Sequence, residues 1–430
     1  MKEHIKFVRD NVKEHTKWFR ESIPLIASEN VISPLVREML TTDFHNRYAE
    51  GVPYKRYYQG NIYVDKVEER ANELGRKLFD AKYCDVRPTS GTAANQAMFF
   101  KFAKPGQDYT SCNVADGAHI SSAKFGAAGV RGLVEHTYPF NVDEMNIDID
   151  GTIKLIKEVK PKIALFGMSV FLFPTPLKEL QEAFDETGCT VWYDGAHVLG
   201  LIAGGEFQQP LREGAHILTG STHKTLPGPQ GGVVLGNPRD QKMEDKMNYG
   251  VFPGVLSNHH LHHMAGKAIA FAEAIEFGKQ YAKDIIKNAQ ALAQALDERG
   301  FKVLAADHGF TKSHALVMDV NDIGGGTPLV EALEQANVIT NKNLLPWDPA
   351  NKALNPSGIR LGTAEVTRIG MGPQEMAEIA DIFKEVCIDK KDPKVVRERV
   401  KELKRSFTKV HYCFNDGAEA YSWLDVAGDI

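Results

Sequence analysis

One lysine stands out because of the residues around it. Lys224 lies in residues 220–232, between small hydroxyl residues and a turn rich in glycine and proline. Apolar runs typical of β-strands flank it at residues 216–219 and 233–236. A lysine held at a strand end and partly removed from water has a lowered pKa, and its neutral amine can form an imine with an aldehyde. The segment therefore indicates a nucleophilic amine. The competing and simpler interpretation of the segment alone is a solvated surface lysine.

Two more groups at predicted strand ends complete a chemical set. Asp194 directly follows the apolar run 190–193, so we expect its carboxylate at the strand end. Residues 90–92 (Ser-Gly-Thr) begin a predicted helix, whose free N–H groups and hydroxyls suit a phosphate. Each feature alone is also explained as a helix cap. With Lys224 they match pyridoxal 5′-phosphate (PLP), which requires a phosphate cradle, a lysine amine and a carboxylate at its pyridine nitrogen.

Two further side chains could contact the cofactor or a substrate. His119 falls where another strand is expected to end, and its ring could stack on a planar cofactor; a hydrogen-bonded loop histidine is the simpler interpretation. Arg360 lies in the apolar, glycine-flanked residues 357–363. Its guanidinium could bind a carboxylate through two parallel hydrogen bonds, with a structural ion pair as the alternative.

A histidine cluster at residues 259–263 raises the question of a metal site. His259 and His263 are four residues apart, a spacing that would place two ligands on one helix face. No acidic partner with motif spacing accompanies them, and the HExxH pattern is absent. We therefore expect no metal, and polar contacts near an interface or a helix start account for the cluster.

The elements that must position these groups alternate as in an α/β protein. Between about residues 65 and 253, short apolar runs alternate with amphipathic stretches, which predicts a mainly parallel sheet covered by helices on both faces. A long helical stretch at 263–299 then leads into short strands and helices. The predicted divisions are an N-terminal arm at 1–64, a large domain at 65–262, and the long helix with a small α+β domain at 263–430.

Composition limits the classes of partner. The 430 residues are 43% hydrophobic and 25% charged, as in ordinary globular proteins, and the net charge of −5 gives no general attraction to nucleic acid or anionic membranes. No apolar run approaches the roughly 18 residues of a membrane span, and the N-terminus lacks a signal-peptide core. The five cysteines are odd in number and widely spaced, which favours a reduced, cytoplasmic compartment.

Several motifs together resemble those of the serine hydroxymethyltransferase family of PLP enzymes. Seven motifs occur in the family's order between about residues 25 and 370: 25–30, 48–51 with 55–58, 88–92, 194–200, 221–225, 341–343 with 346–348, and 357–363. The resemblance implies an α/β fold, the PLP-dependent transferase fold type I. Its mainly parallel seven-stranded sheet would lie between helices, beside a smaller C-terminal α+β domain.

The resemblance also implies cofactor contacts. Lys224 would carry PLP, Asp194 would meet the pyridine nitrogen, and His119 would stack on the ring. The other implied contacts lie around the phosphate, the phenolic oxygen and the subunit boundary: Ser90, Gly91, Thr92, Ser169, His197, Ser221, Tyr48 and His223, the last also implied in catalysis.

Serine is the implied substrate, and a reduced pterin would receive its hydroxymethyl unit, leaving glycine. Arg360 would bind the amino-acid carboxylate, with Ser28 beside it. Glu50 would manage protons at the hydroxymethyl group, and Asn343 would lie near the pterin. Tyr58 would come from a partner subunit, which implies an obligate homodimer with shared active sites.

The chain departs from the family's common bacterial pattern near this site. Gln230 stands in place of arginine, and residues 252–260 replace Pro-Gly-x-Gln-Gly-Gly. These features look more like the archaeal branch, and they leave open a tetrahydrofolate or a tetrahydromethanopterin carrier. Tyr54 in place of glycine, and Ala364 with Glu365 in place of Pro-Ala, could mark a shifted specificity.

Three functions remain in competition. Glu50 and Asn343 favour a pterin-dependent hydroxymethyltransferase. Tyr54 and Gln230 leave room for a pterin-independent PLP aldolase or transaldolase that acts on threonine-like β-hydroxy amino acids. The histidine cluster alone suggests a non-catalytic or metal-binding interaction protein, and the predicted lysine, aspartate and arginine set argues against it.

Overall fold

A seven-stranded sheet forms the centre of the molecule. The computed structural model describes residues 1–428; the last two residues of the predicted small domain lie outside the described residues. In spatial order the strands are Tyr83–Asp85, Gly232–Gly236, Ile217–Ser221, Thr190–Asp194, Ile163–Phe166, Asp108–Ser111 and Val134–Thr137. Gly232–Gly236 runs antiparallel to both its neighbours, and the other pairings are parallel. The predicted mainly parallel, seven-stranded sheet is confirmed.

Helices cover this sheet and continue into the C-terminal part. None in the described part of the chain is both long and apolar enough to cross a membrane. The helices are Lys2–Arg20, Pro34–Met39, Ile62–Phe79, Gly91–Phe102, Ala127–Val130, Ile149–Val159, Gln181–Thr187, Leu199–Ala203, Gln241–Tyr249, Leu261–Glu298, Gly326–Gln335, Ala364–Arg368, Pro373–Cys387 and Pro393–Lys404.

A smaller, antiparallel sheet of four strands lies in the C-terminal part of the chain. Its strands, in spatial order, are Lys302–Val303, Ala315–Asp319, Gly358–Gly362 and Asn341–Asn343. Two-stranded pairings join Ile23–Pro24 to Val338–Ile339, Gly51–Val52 to Lys55–Arg56, Phe140–Asn141 to Asn146–Ile147, and Lys409–Val410 to Ala418–Glu419.

The helix Leu261–Glu298 connects two apolar cores. Near its start, Phe271 packs into the core around the large sheet, and near its end Leu292 packs into the core around the small sheet. One continuous helix therefore fixes the relation between the two sheets, because both cores share its buried faces. The domain boundaries at residues 64/65 and 262/263 stay a prediction.

Some element ends differ from the sequence prediction. The helix predicted at 176–187 begins at Gln181, because residues 177–180 form turns instead. The strand predicted at 84–88 ends at Asp85, since Val86 N donates to the Asn72 side chain rather than to a neighbouring strand. The strand predicted at 302–305 ends at Val303, and Ala305 adopts a left-handed conformation with φ of 57°.

The helix Leu199–Ala203 approaches the backbone of the segment that carries Lys224. Gly200 N donates to Thr225 Oγ1 over 3.0 Å. A Cβ on Gly200 would lie 2.2 Å from the Thr225 carbonyl oxygen, far inside van der Waals contact. Glycine at this position is therefore what lets the helix and the lysine segment pack together.

We predict that Gly200→Ala lowers the free energy of unfolding by about 1–3 kcal/mol, because the added methyl group pushes against backbone. Gly278→Ala is the matched control: it also lies inside a helix, and its Cβ would meet no heavy atom closer than Ala274 Cβ at 3.6 Å. That control should gain about 0.5–1 kcal/mol from helix propensity. Denaturant unfolding measures both changes, and equal stabilities of the two variants would contradict the close approach.

Candidate active site

A cavity of about 450 Å³ lies at the carboxyl ends of the parallel strands. It brings together most of the residues singled out from the sequence, which come from seven separate parts of the chain. Those that line it are Ser28, Ser90, Gly91, Thr92, His119, Ser169, Asp194, His197, Ser221, His223, Lys224 and Arg360.

Lys224 projects into this cavity from the irregular segment that follows the strand Ile217–Ser221. A hydrogen bond joins the two ends of this segment: Thr222 N donates to Gly231 O over 3.1 Å. The Asn30 side chain holds the Lys224 carbonyl at 2.7 Å. Lys224 is only 7% exposed, and burial lowers the pKa of its amine to about 8, against an opposing effect of Asp194. A substantial neutral fraction is therefore present near neutral pH.

Asp194 ends the central strand Thr190–Asp194, and its carboxylate is oriented by two donors. Asn95 Nδ2 donates to one oxygen over 2.7 Å, and Ala196 N donates to the other over 3.0 Å. Asn95 in turn accepts from Thr219 Oγ1 at 2.8 Å. Sequence reasoning missed Asn95; the signal was an amide next to small apolar residues on a helix that packs on the sheet, where an unpaired polar group is costly.

Arg360 reaches the cavity from the small sheet. Its Nη1 donates to Ser169 O at 3.0 Å, and its Nε and Nη2 lie 3.3 and 3.2 Å from Asn341 Oδ1. Burial lowers its pKa to about 10. Within residues 1–428, no carboxylate forms an ion pair with this guanidinium. Sequence reasoning missed Asn341, because only the strand register, which places Asn341 opposite Arg360, identifies it.

The cavity residues fit PLP on structural grounds. Ser90 caps the helix Gly91–Phe102, whose first N–H groups have no intrahelical acceptor and so can bind a phosphate. A Cβ on Gly91 would lie 2.6 Å from Ser221 Oγ, so glycine keeps this cradle open. Two buried polar atoms, Ser169 Oγ and His197 Nδ1, have no hydrogen-bond partner among the described residues and are available to a bound group.

Two histidines in the cavity are uncharged at neutral pH. Burial lowers the pKa of His119, and its Nδ1 accepts from Ser121 N at 3.1 Å, so a neutral ring is presented. Burial, reinforced by Lys224, lowers the pKa of His223 to about 4. A neutral ring suits stacking on a planar cofactor, since it adds no second positive charge beside the lysine.

Three predicted residues form a separate surface group, the Glu50 cluster, made up of Tyr48, Glu50, Tyr58 and Ser257. The Ser257 hydroxyl donates to Glu50 Oε1 and lies 3.1 Å from the Tyr48 hydroxyl oxygen. The rings of Tyr48 and Tyr58 meet edge to face, 4.9 Å between centroids. None of the four lines the cavity of this chain.

Asn343 is the remaining predicted residue that does not line the cavity. It lies in the strand Asn341–Asn343 beside the strand of Arg360, and its side chain donates to Leu344 O at 2.6 Å.

The histidine cluster does not present two ligands on one helix face, so that part of the sequence interpretation is wrong. The long helix begins at Leu261, which leaves His259 outside it. His259 Nε2 lies 3.0 Å from Glu68 Oε2, whereas His263 Nδ1 donates to Gln230 O over 2.6 Å. Within residues 1–428, no three His, Cys, Asp or Glu side chains are grouped to hold a metal ion.

The sheet order, the helix dipole at the cradle, and the lysine, aspartate and arginine in one cavity define a class: an α/β protein with the fold of type-I PLP-dependent transferases. A solved structure described as L-threonine transaldolase from Pseudomonas fluorescens, in the internal aldimine state, shares this fold. The TM-score is 0.88 at 26% identity, over 96% of this chain and 94% of that one.

The chain belongs to the serine hydroxymethyltransferase family. The model of that family matches residues 1–383. A serine hydroxymethyltransferase from Picrophilus torridus is 54% identical over 428 residues, which is 99% of this chain and 98% of that protein. One from Methanocaldococcus jannaschii is 55% identical over 417 residues, 96% of each chain. Membership makes the chain a hydroxymethyltransferase, the class of enzyme that interconverts serine and glycine, and implies PLP as its cofactor.

We predict that Lys224 in the apoenzyme reacts with cyanate with a midpoint near pH 8, because only the neutral amine is nucleophilic and burial lowers its pKa to about 8. Reaction should rise from pH 6 and level off above the midpoint. The exposed Lys154 is the internal control for the reagent. Peptide mass spectrometry reports both sites, and parallel curves for the two lysines would contradict the shift.

Proposed function

We propose that the enzyme transfers the hydroxymethyl unit of serine to a reduced pterin, with PLP held in the cavity. The observation that carries the proposal is the Arg360 guanidinium, which is buried beside Lys224 and Asp194 without a carboxylate partner among residues 1–428. A buried guanidinium of this kind is stable when a ligand supplies the missing carboxylate, and amino acids carry one.

The proposed roles follow from position. Lys224 provides the amine for covalent attachment of the cofactor, and Asp194 faces the cofactor as the carboxylate that Asn95 keeps in place. Arg360 binds the substrate carboxylate, with Ser28 in the same cavity. When bound, PLP takes up the electron pair released as the Cα–Cβ bond of serine breaks.

A second copy of the chain is proposed to complete the site. Glu50 and Tyr58 lie outside the cavity of their own chain, yet proton transfer at the serine hydroxyl requires a group within hydrogen-bond reach. Around Glu50 the surface exposes large aromatic side chains: Tyr48 is 46%, Tyr58 47% and Tyr57 75% exposed. Exposed aromatic residues are typical of interfaces, so this surface suits the mouth of a partner's cavity.

The reduced pterin, the cytoplasmic location and the role of Asn343 stay predictions. The pterin-independent alternative draws on the transaldolase of similar fold, but that protein shares 26% of its sequence with the chain, whereas the hydroxymethyltransferases from archaea share 54–55%. Greater sequence identity over the full length favours the pterin-dependent reaction.

We predict that the purified protein with PLP absorbs in the visible and cleaves serine only when a reduced pterin is present. Tetrahydrofolate and tetrahydromethanopterin are tested in parallel to identify the carrier. Lys224→Ala should abolish the visible band, because no amine remains to attach the cofactor, whereas Lys154→Ala, at an exposed lysine, should keep it.

Two results would decide against parts of this proposal. A colourless wild-type protein after reconstitution with PLP would contradict a PLP enzyme. Long-wavelength absorption with glycine that is unchanged by either pterin, together with cleavage of threonine-like substrates, would favour the aldolase.

We predict that Lys224→Ala, which is inactive, and Glu50→Gln, which keeps only a small residual activity, regain activity when mixed. Lys224→Ala removes the amine of its own cavity, and Glu50→Gln removes the group proposed to reach the partner's cavity. After unfolding and refolding together at equal amounts, half the dimers are mixed and each has one intact site, so about a quarter of wild-type activity should return. No recovery, with mixed dimers demonstrated by mass spectrometry, would place Glu50 at its own chain's site.

A further inference from the structure

The backbone on both sides of Glu50 is held by a buried arginine. Arg56 Nη1 donates to Ala49 O at 2.8 Å and to Gly51 O at 3.0 Å, the carbonyls that flank Glu50. The same guanidinium is anchored in the helix Ile62–Phe79, with Nε on Asp65 at 2.8 Å and Nη2 on Glu68 at 2.7 Å. The main chain at Glu50 is therefore fixed, and what remains free to rotate is its side chain.

Ser257 and Asn258 also contact this segment. Asn258 Oδ1 accepts from Ala49 N at 2.9 Å, and its Nδ2 donates to Arg47 O at 3.2 Å. These two contacts fix where residue 257 lies relative to the segment. Both residues belong to 252–260, the stretch in which the sequence departs from the common bacterial pattern.

The Ser257 hydroxyl is placed between two functional groups. It carries one proton, which it donates to Glu50 Oε1, so the Tyr48 hydroxyl, 3.1 Å away, is the donor to Ser257 Oγ. The resulting chain runs from Tyr48 through Ser257 to Glu50, and each bond polarises the next. One carboxylate oxygen is thereby occupied, and the other is left for a ligand.

We propose that Ser257 is a positioning residue that selects the rotamer of Glu50 and aims its free oxygen at the serine hydroxymethyl group. This inference rests on the proposed function, in which Glu50 moves a proton at that group. Arg56 and Asn258 fix the backbone, and Ser257 fixes the side chain that the backbone alone leaves mobile. Placement matters because proton transfer requires hydrogen-bond distance and a small misplacement is costly.

The experiment compares holoenzymes of wild type, Ser257→Ala, Ser257→Thr and the distant, exposed Ser406→Ala as control. Ser257 lies at the surface, so its loss should leave thermal unfolding unchanged. Ser257→Ala should lower kcat for serine cleavage about tenfold with KM for serine within about twofold. Ser257→Thr keeps the hydroxyl and should retain most activity, and Ser406→Ala should match wild type.

A double variant tests whether Ser257 acts through Glu50. In a Glu50→Gln background, Ser257→Ala should cost little more, because the proton-transferring group is already gone. A full tenfold loss there, or unchanged kcat in Ser257→Ala alone, would overturn the proposal.

Crystal structures of wild type and Ser257→Ala give a readout that does not depend on turnover. We expect Glu50 in a single rotamer in wild type and in several in the variant. A single unchanged rotamer in Ser257→Ala would overturn the inference whatever the activity. If wild type cleaves serine with neither pterin, the proposed function fails, and this structural comparison still decides the role of Ser257.

Discussion

The burial of the Lys224 amine without a hydrogen-bond partner is the constraint on which the site depends. Within residues 1–428, its Nζ makes no hydrogen bond and no ion pair, although the residue is 7% exposed. A buried ammonium so placed is costly, which lowers its pKa. The surrounding backbone must therefore hold the side chain inward against its hydration. Thr225 does this: its hydroxyl donates to His197 O at 2.8 Å and accepts from Gly200 N.

A second buried lysine, Lys267, is surrounded by hydrogen-bond acceptors that Lys224 lacks. Lys267, 2% exposed, donates to the carbonyls of Val86, Pro88 and Gly232 at 2.7, 2.9 and 2.9 Å, so all three of its N–H groups are used. These three hydrogen bonds connect the long helix to residues at the ends of the strands Tyr83–Asp85 and Gly232–Gly236. Burial lowers the pKa of both amines, to about 7 for Lys267 and about 8 for Lys224. The two lysines therefore differ in their surroundings: Lys267 donates to three carbonyls, whereas Lys224 faces the cavity.

The sequence predicted the parts of the site that follow from sheet topology. Asp194 and Lys224 could be placed together because both follow strands of one parallel sheet, whose carboxyl ends share an edge. Asn95 and Asn341 could not, because each acts through a contact across elements that only the register reveals. The prediction that His259 and His263 share a helix face was wrong for a local reason. Their spacing fits a helix, but the helix begins at Leu261, after His259.

The role predicted for Glu50 came from the resemblance alone, because no pattern in the sequence marks a surface carboxylate as part of an active site. The cavity residues and the Glu50 cluster differ in how deeply they are buried. The cavity needs burial, because burial lowers the pKa of both Lys224 and Arg360. The Glu50 cluster lies at the surface, where hydrogen bonds between its side chains hold the carboxylate in place.

That geometry rests on buried charge beneath an exposed cluster. Arg56 is 3% exposed and joins Asp65 and Glu68, which are 9% and 1% exposed, and His259 lies 3.0 Å from the same Glu68. Removing one partner from this buried set leaves the other charges without compensation, so the set resists rearrangement. A surface carboxylate on such a base is already ordered in the single chain, which lowers the entropy cost of forming the proposed shared site.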